Sequence, residues 1–187
     1  RALQFVWAVG GTEALVINND TRISPWTVHS LVDVLQGEQA LFVTAVGVTA
    51  EQYALQLYRP LYDPLAPKGG PDFSCFLISK EGHDRYPFDE NIVPLFTEDL
   101  DSHRRYMLGG DGDKIFSINL PYLHIGGGSN TLKSLPPEAR VAKERQIDGA
   151  RAYYARKWGG GVNQERWTIP FEPKSDQDGV MTPDLQR

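Results

Sequence analysis

The chain has 187 residues, 41% hydrophobic and 23% charged, with a formal net charge of -5 and a pI of about 5.4. That length suits one ordinary globular domain with enough apolar content for a sizeable core. The mild acidity and the lack of Lys/Arg runs argue against nucleic acid as a partner, no apolar stretch approaches the ~20 residues of a membrane span, and a single cysteine, Cys75, excludes an internal disulfide.

Residues 1–9 are apolar and read as the end of a helix, broken by Gly10-Gly11. Glu13 to Ile17 is a short apolar run stopped by Asn18-Asn19-Asp20, which predicts a buried strand ending in a polar turn. Ser24 is placed as an N-cap with Pro25 at the first helical position. Val28, Leu31, Val32 and Leu35 then recur at helical spacing until Gly37. Ala40 to Val48 reads as a second buried strand. Residues 58–72 hold four prolines and an adjacent glycine pair, the composition of a long loop.

Phe73 to Ser79 predicts a third strand, with Cys75 as a small buried hydrophobe. An irregular acidic segment follows from Pro87 to Pro94. Glu98 to Leu108 reads as a helix closed by Gly109-Gly110, and Lys114 to Asn119 as a strand. Tyr122 to Ile125 leads into a flexible turn at Gly126-Gly127-Gly128. Pro136-Pro137 opens a long helix to about Trp158, with Glu138 in its first turn and Lys157 in its last, as the helix dipole favours. Gly159 to Gly161 ends it. Residues 1–172 form the expected domain and 173–187 a polar, flexible tail. Alternating strands and helices define an α/β class, in which chemistry gathers at the carboxyl ends of strands.

Three polar clusters are candidates for chemistry. Asn18, Asn19 and Asp20 offer hard oxygen ligands suited to Mg²⁺ or Mn²⁺ bridged to phosphates, although the same residues form turns for local reasons. Thr97-Glu98-Asp99-Leu100-Asp101 puts three carboxylates in four residues at a helix start. They complement the helix dipole, with Thr97 as an N-cap, or supply a general base for a hydroxyl nucleophile. Asp89 and Glu90 add acid to that region, and crowded like charges raise a carboxylate's pKa towards a useful range. His124, at a strand end before three glycines, would complete a mixed oxygen and nitrogen site for Mn²⁺.

The order of these clusters resembles family-2 glycosyltransferases. Leu15 to Thr21 with Ser24-Pro25 is similar to the metal-binding segment of that family. Phe88-Asp89-Glu90, then Phe96-Thr97-Glu98-Asp99-Leu100-Asp101 and Arg104, resembles its Phe-Asp-Glu and Glu-Asp-x-Asp signature. His124 with Gly126, Gly127, Ser129 and Thr131 resembles its His-x-Gly-x-Ser-x-Thr segment. Tyr153-Tyr154 and Lys157-Trp158-Gly159-Gly160 resemble the ending of bacterial, fungal and viral members. The likeness runs from about residue 10 to residue 171.

The resemblance implies a GT-A fold, a Rossmann-like three-layer α/β sandwich, N-terminally incomplete because the family's base-binding strands have no counterpart before Arg1. It implies a metal-dependent, inverting transfer of a hexose-type sugar from a nucleotide-diphosphate donor to a glycan, lipid or protein acceptor. Asp20 would hold the metal, with Asn18 and Asn19 beside it on the donor and His124 as a further ligand. Asp99 would be the base and Glu98 would shape the acceptor pocket, near Asp89, Glu90, Gly126 and Gly127. Asp101 and Arg104 would orient their helix by pairing with each other. Trp158 would stack on a sugar or fill the core. The family's segment reads Asp-x-Asp or Asn-Asn-Asp, and this chain has Asn18 where the first form has Asp. A missing N-terminal segment or a partner subunit is expected to complete the nucleotide pocket. The odd cysteine and the absence of a signal peptide point to the cytoplasm, as a free, membrane-peripheral or complex-bound protein. The competing expectations are a non-catalytic structural or carbohydrate-binding subunit and a metal-dependent hydrolase using the same acids.

Overall fold

The computed structural model describes residues 2–48, 50–56, 73–92, 97–125 and 129–172. It is a mixed α/β domain. Among the described residues, helix α1 (Ala2–Ala8) leads into β1 (Glu13–Ile17) and β2 (Thr21–Ile23), followed by α2 (Pro25–Gly37), β3 (Phe42–Val48) and α3 (Ala50–Gln56). Then come β4 (Cys75–Ser79), α4 (Lys80–Arg85), α5 (Glu98–Leu108), β5 (Ile115–His124), α6 (Ser129–Ser134) and α7 (Pro137–Trp158).

The strands form one sheet in the order β1-β4-β3-β5-β2. β4 runs antiparallel to both β1 and β3, while β3 and β5 are parallel. β1, β3 and β5 therefore share a direction, and their carboxyl ends lie at one end of the sheet. β2 pairs antiparallel with the last residues of β5. Sequence reasoning expected two segments around Pro121, and the structure joins them into one strand. Its register against β3 slips there, from Thr44 opposite Ser117 to Val46 opposite Pro121. A proline has no N–H to give to a ladder, so the irregularity falls where pairing is weakest. The Pro121 carbonyl accepts a hydrogen bond from Thr27 Oγ1 at 3.1 Å, tying this bend to α2.

Both faces are covered at the inner strands, which is why β3 and β4 read as nearly unbroken apolar runs, whereas β1, expected to be buried, is an edge strand with Leu15 and Ile17 exposed. On one face Leu31, Val34 and Leu35 of α2 meet Val43, Cys75, Leu77, Ile118, Leu120 and Tyr122. On the other, Phe42, Phe76 and Ile78 meet Tyr106 of α5 and Leu3, Val6 and Trp7 of α1. Phe42 stacks on Phe76 and Phe73 with ring centroids 4.7 and 5.3 Å apart, contacts worth about 0.5–1.5 kcal/mol each beyond their area. The Ser24 side chain accepts from the Thr27 N–H at 3.1 Å, as its sequence position predicts. Thr97 does not cap α5 with its side chain. The Glu98 carboxylate turns back to accept the Thr97 N–H at 3.0 Å instead. No helix among the described residues is long and apolar enough to cross a membrane. The expected loop at 58–72, the turn at Gly126, Gly127 and Gly128, and the tail from 173 lie outside the described residues.

Candidate functional site

The shared end of β1, β3 and β5 brings two of the predicted site residues together. Asn18 leaves β1 with its N–H donated to the Ser74 carbonyl at 2.9 Å, and its own carbonyl accepts from the Thr21 N–H at 3.2 Å. That tight turn aims the chain into β2, where Thr21 lies opposite His124. The Asp20 carbonyl accepts from the Ile125 N–H at 2.7 Å, so backbone bonds hold Asp20 against the end of β5. As a result, Asp20 Oδ2 stands 3.2 Å from His124 Nε2, with both side chains partly exposed. Asn18 and Asn19 are exposed beside them.

The 3.2 Å contact is that of an ion pair between the two side chains, and it is also the separation expected of two ligands on one divalent ion. Two ligands on neighbouring corners of an octahedron, each about 2.1 Å from the ion, stand about 3 Å apart. A carboxylate oxygen with an imidazole nitrogen suits Mn²⁺ and tolerates Mg²⁺. Among the described residues no group of three or more His, Cys, Asp or Glu side chains comes together at metal-binding spacing. The remaining corners at Asp20 and His124 would fall to water or to ligand oxygens, the usual arrangement for an ion that binds diphosphates.

The acidic start of α5 divides into separate roles. Asp99 and Glu98 are partly exposed on the first turn. Asp99 Oδ1 accepts the Leu100 N–H at 2.7 Å. Asp101 is fully buried. Its carboxylate takes the Trp158 indole N–H at 2.8 Å, the Lys157 ammonium at 2.7 Å and the Arg105 guanidinium at 2.9 Å. The expected Asp101–Arg104 pair is therefore not formed. Arg104 instead donates to the Trp167 carbonyl at 2.6 Å, approaches Glu165 at 4.0 Å and lies over the Trp158 ring. They sit on one helix three residues apart, but Asp101 faces the interior where α7 brings Lys157, while Arg104 faces the segment after α7. Trp158 is buried and serves the core.

Asp89 is absorbed into the same network. Lys157 Nζ reaches its Oδ2 at 2.6 Å, the Tyr153 hydroxyl donates to it at 3.0 Å, and the Asn91 N–H donates to its other oxygen at 3.0 Å. Burial pushes its pKa up, but the hydrogen bonds from Lys157 and Asn91 and the Lys157 charge outweigh that and hold the carboxyl at about 2. Glu90, next in the chain, is exposed. Burial raises the Tyr154 phenol well above its ordinary value, reinforced by Glu165, which accepts its hydroxyl. Sequence reading picked out Tyr153 and Tyr154 only as part of a terminal motif, and Lys157 there and as a cation in the last turn of its helix. The signal for their roles was a Lys placed beside an aromatic pair in an otherwise polar helix, and its partners are distant in sequence.

Comparison with models of known protein families, with curated proteins and with solved structures found no match.

Proposed function

We propose that this chain is the catalytic region of a metal-dependent, inverting glycosyltransferase of the GT-A type, drawing a hexose-type sugar from a nucleotide-diphosphate donor. The observation that carries the reading is the 3.2 Å approach of Asp20 Oδ2 to His124 Nε2 where β1 and β5 both end. Two residues from separate motifs of the family-2 resemblance meet at the sheet end where α/β folds bind ligands.

In this reading Asp20 and His124 hold Mn²⁺ or Mg²⁺, and Asn18 and Asn19 flank the donor. A divalent ion there would neutralise charge on the leaving diphosphate. Asp99 accepts the proton of the acceptor hydroxyl as its oxygen bonds to the anomeric carbon. The bond from that carbon to the diphosphate oxygen breaks on the opposite face, so configuration inverts and the nucleoside diphosphate departs with the bonding pair. Glu98 borders the acceptor side. Gly126 and Gly127, outside the described residues, belong to the same reading as backbone donors to phosphate.

The test separates donor binding from chemistry. Wild-type protein should be stabilised against heat by a nucleoside diphosphate with Mn²⁺, by about 2.7 kcal/mol when the ligand is at 100 times its Kd. Asp20→Ala and His124→Ala should lose that stabilisation while keeping their unliganded Tm within a few degrees. Asp99→Asn should keep it and lose transfer by about 10²–10⁴-fold. Equal stabilisation of wild type and both metal-site variants would remove the reading. A failure of every nucleotide to stabilise the wild type would leave the non-catalytic subunit in its place.

A further inference from the structure

The two edges of the sheet are unequal. β2 forms one of them with three residues and an exposed Arg22, the short, charged kind of edge that discourages further pairing. β1 forms the other with five residues and pairs with β4 in an unbroken register. It holds no Lys, Arg, Pro or Gly, and its one charge, Glu13, stands at its first position. The usual devices that guard an edge are missing from it.

The direction of its backbone groups follows from the bonds at its two ends. The Thr12 carbonyl accepts the Lys80 N–H at 2.8 Å, and the Asn18 N–H donates to the Ser74 carbonyl at 2.9 Å. Residues of an antiparallel strand alternate in direction, so Ala14 and Val16 also face β4, while Glu13, Leu15 and Ile17 turn their N–H and C=O groups outward. Among the described residues no backbone bond is made to those outward groups. The same three residues share one side-chain face, the one on which Glu13 accepts the Gln36 amide of α2 at 3.1 Å. On that face Leu15 and Ile17 are 38% and 46% exposed. A strand laid along this edge would satisfy the main-chain groups and cover both apolar side chains.

We propose that this strand is β1 of a second copy of the chain, paired antiparallel across a twofold axis at Leu15. The outward residues are spaced evenly about Leu15, so this register uses all three of them. Leu15 meets Leu15, and Glu13 of each copy meets Ile17 of the other. Each facing pair exchanges two hydrogen bonds, about six in all. Charge favours the same register, because the one carboxylate of the edge meets an aliphatic side chain, whereas pairing centred on Glu13 would oppose two like charges. The contact uses both β1 edges and leaves only the short β2 edges, so it closes as a dimer and does not extend into a filament. A five-residue ladder is a small contact, and the dimer forms reversibly with concentration. Antiparallel pairing sends the Asn18 ends of the two strands in opposite directions, so the two Asp20–His124 pairs lie at opposite ends of the joint sheet.

Sedimentation of the whole chain from low micromolar to near millimolar concentration tests this. The mass should rise from 20.9 kDa towards twice that value. Leu15→Lys sets two ammonium groups directly opposite each other and should raise the dissociation constant by about tenfold or more. Ile17→Lys instead sets each new ammonium against Glu13 of the other copy and should hold the dimer or tighten it. An unspecific apolar contact would be weakened by both. Both positions are exposed, and circular dichroism checks that the variants fold. Hydrogen exchange reads the wild type directly: the Leu15 and Ile17 amides should slow as concentration rises, while the Val16 amide is protected throughout. Equal weakening by the two substitutions, or a wild type that stays at 20.9 kDa, overturns the proposal. In the monomeric case, unprotected Leu15 and Ile17 amides leave the edge to a strand of a different chain, and protected ones assign it to another segment of this one.

Discussion

Lys157 is the residue on which most of the buried charge depends. Its ammonium sits between the carboxylates of Asp89 and Asp101, almost wholly removed from solvent. Two buried carboxylates without their shared cation would face each other's charge in a medium that solvates neither well. Lys157→Met keeps the stem and removes the charge. It should destabilise the protein by about 3–5 kcal/mol, the usual cost of stranding a buried charge. The shift of a urea unfolding midpoint measures this, and a loss under about 1 kcal/mol would mean that Arg105 and Trp158 satisfy Asp101 unaided. Residue types alone did not disclose this arrangement. The acidic start of α5 looked like a set of equivalent carboxylates, yet burial makes Asp101 structural while Glu98 and Asp99 stay partly exposed at the helix start.

Short elements show how local signals and tertiary contacts divide the work. α2 and α7 were legible because caps, prolines, terminal glycines and apolar spacing all act within a few residues of the chain. β2, α3 and α6 carried no such signal, and the local one that α4 has, its Ser79 cap, was not read. β2 is three residues long and exists through its pairing with β5. α4 is set by the Ser79 hydroxyl, which accepts the Gly82 N–H at 3.0 Å, and by close packing on Leu41, just before β3. A Cβ at Gly82 would stand 2.5 Å from the Leu41 carbonyl oxygen. In an open helix, Gly→Ala stabilises by roughly 0.5–1 kcal/mol. Here Gly82→Ala should instead destabilise by about 1–3 kcal/mol, the cost of forcing extra volume into a packed contact. Because the two effects have opposite signs, the direction of a thermal-melt shift decides between them.

Over the whole molecule, acid should act through the network that joins α7 to the rest. The Asp89 carboxyl is held at about 2, below its ordinary value of 3.8. A depressed carboxylate stabilises the fold fully above its unfolded pKa, and that contribution fades as pH falls from about 4 towards about 2. Glu165, whose burial is outweighed by the Tyr154 hydroxyl bond, and Asp111, held down by the Tyr86 hydroxyl, shift in the same direction. Asp89→Asn should therefore flatten part of the stability loss between pH 4 and pH 2. Its share is about 1 kcal/mol once solvent screening is allowed for. Denaturant titrations at a series of pH values check it, and parallel acid limbs for variant and wild type would refute it.

Sequence alone determined the α/β class, the strand that stops before Asn18, the cap of α2 and the extent of α7, because each depends on interactions between near neighbours in the chain. Through the family resemblance it also marked Asp20 and His124 as expected ligands of one metal. Only the tertiary structure decided that these two meet, that Asp101 faces Lys157 and not Arg104, and that Trp158 is interior. Those outcomes follow from sheet register and helix rotation, which are set by packing many side chains at once and leave no trace in any single stretch of residues.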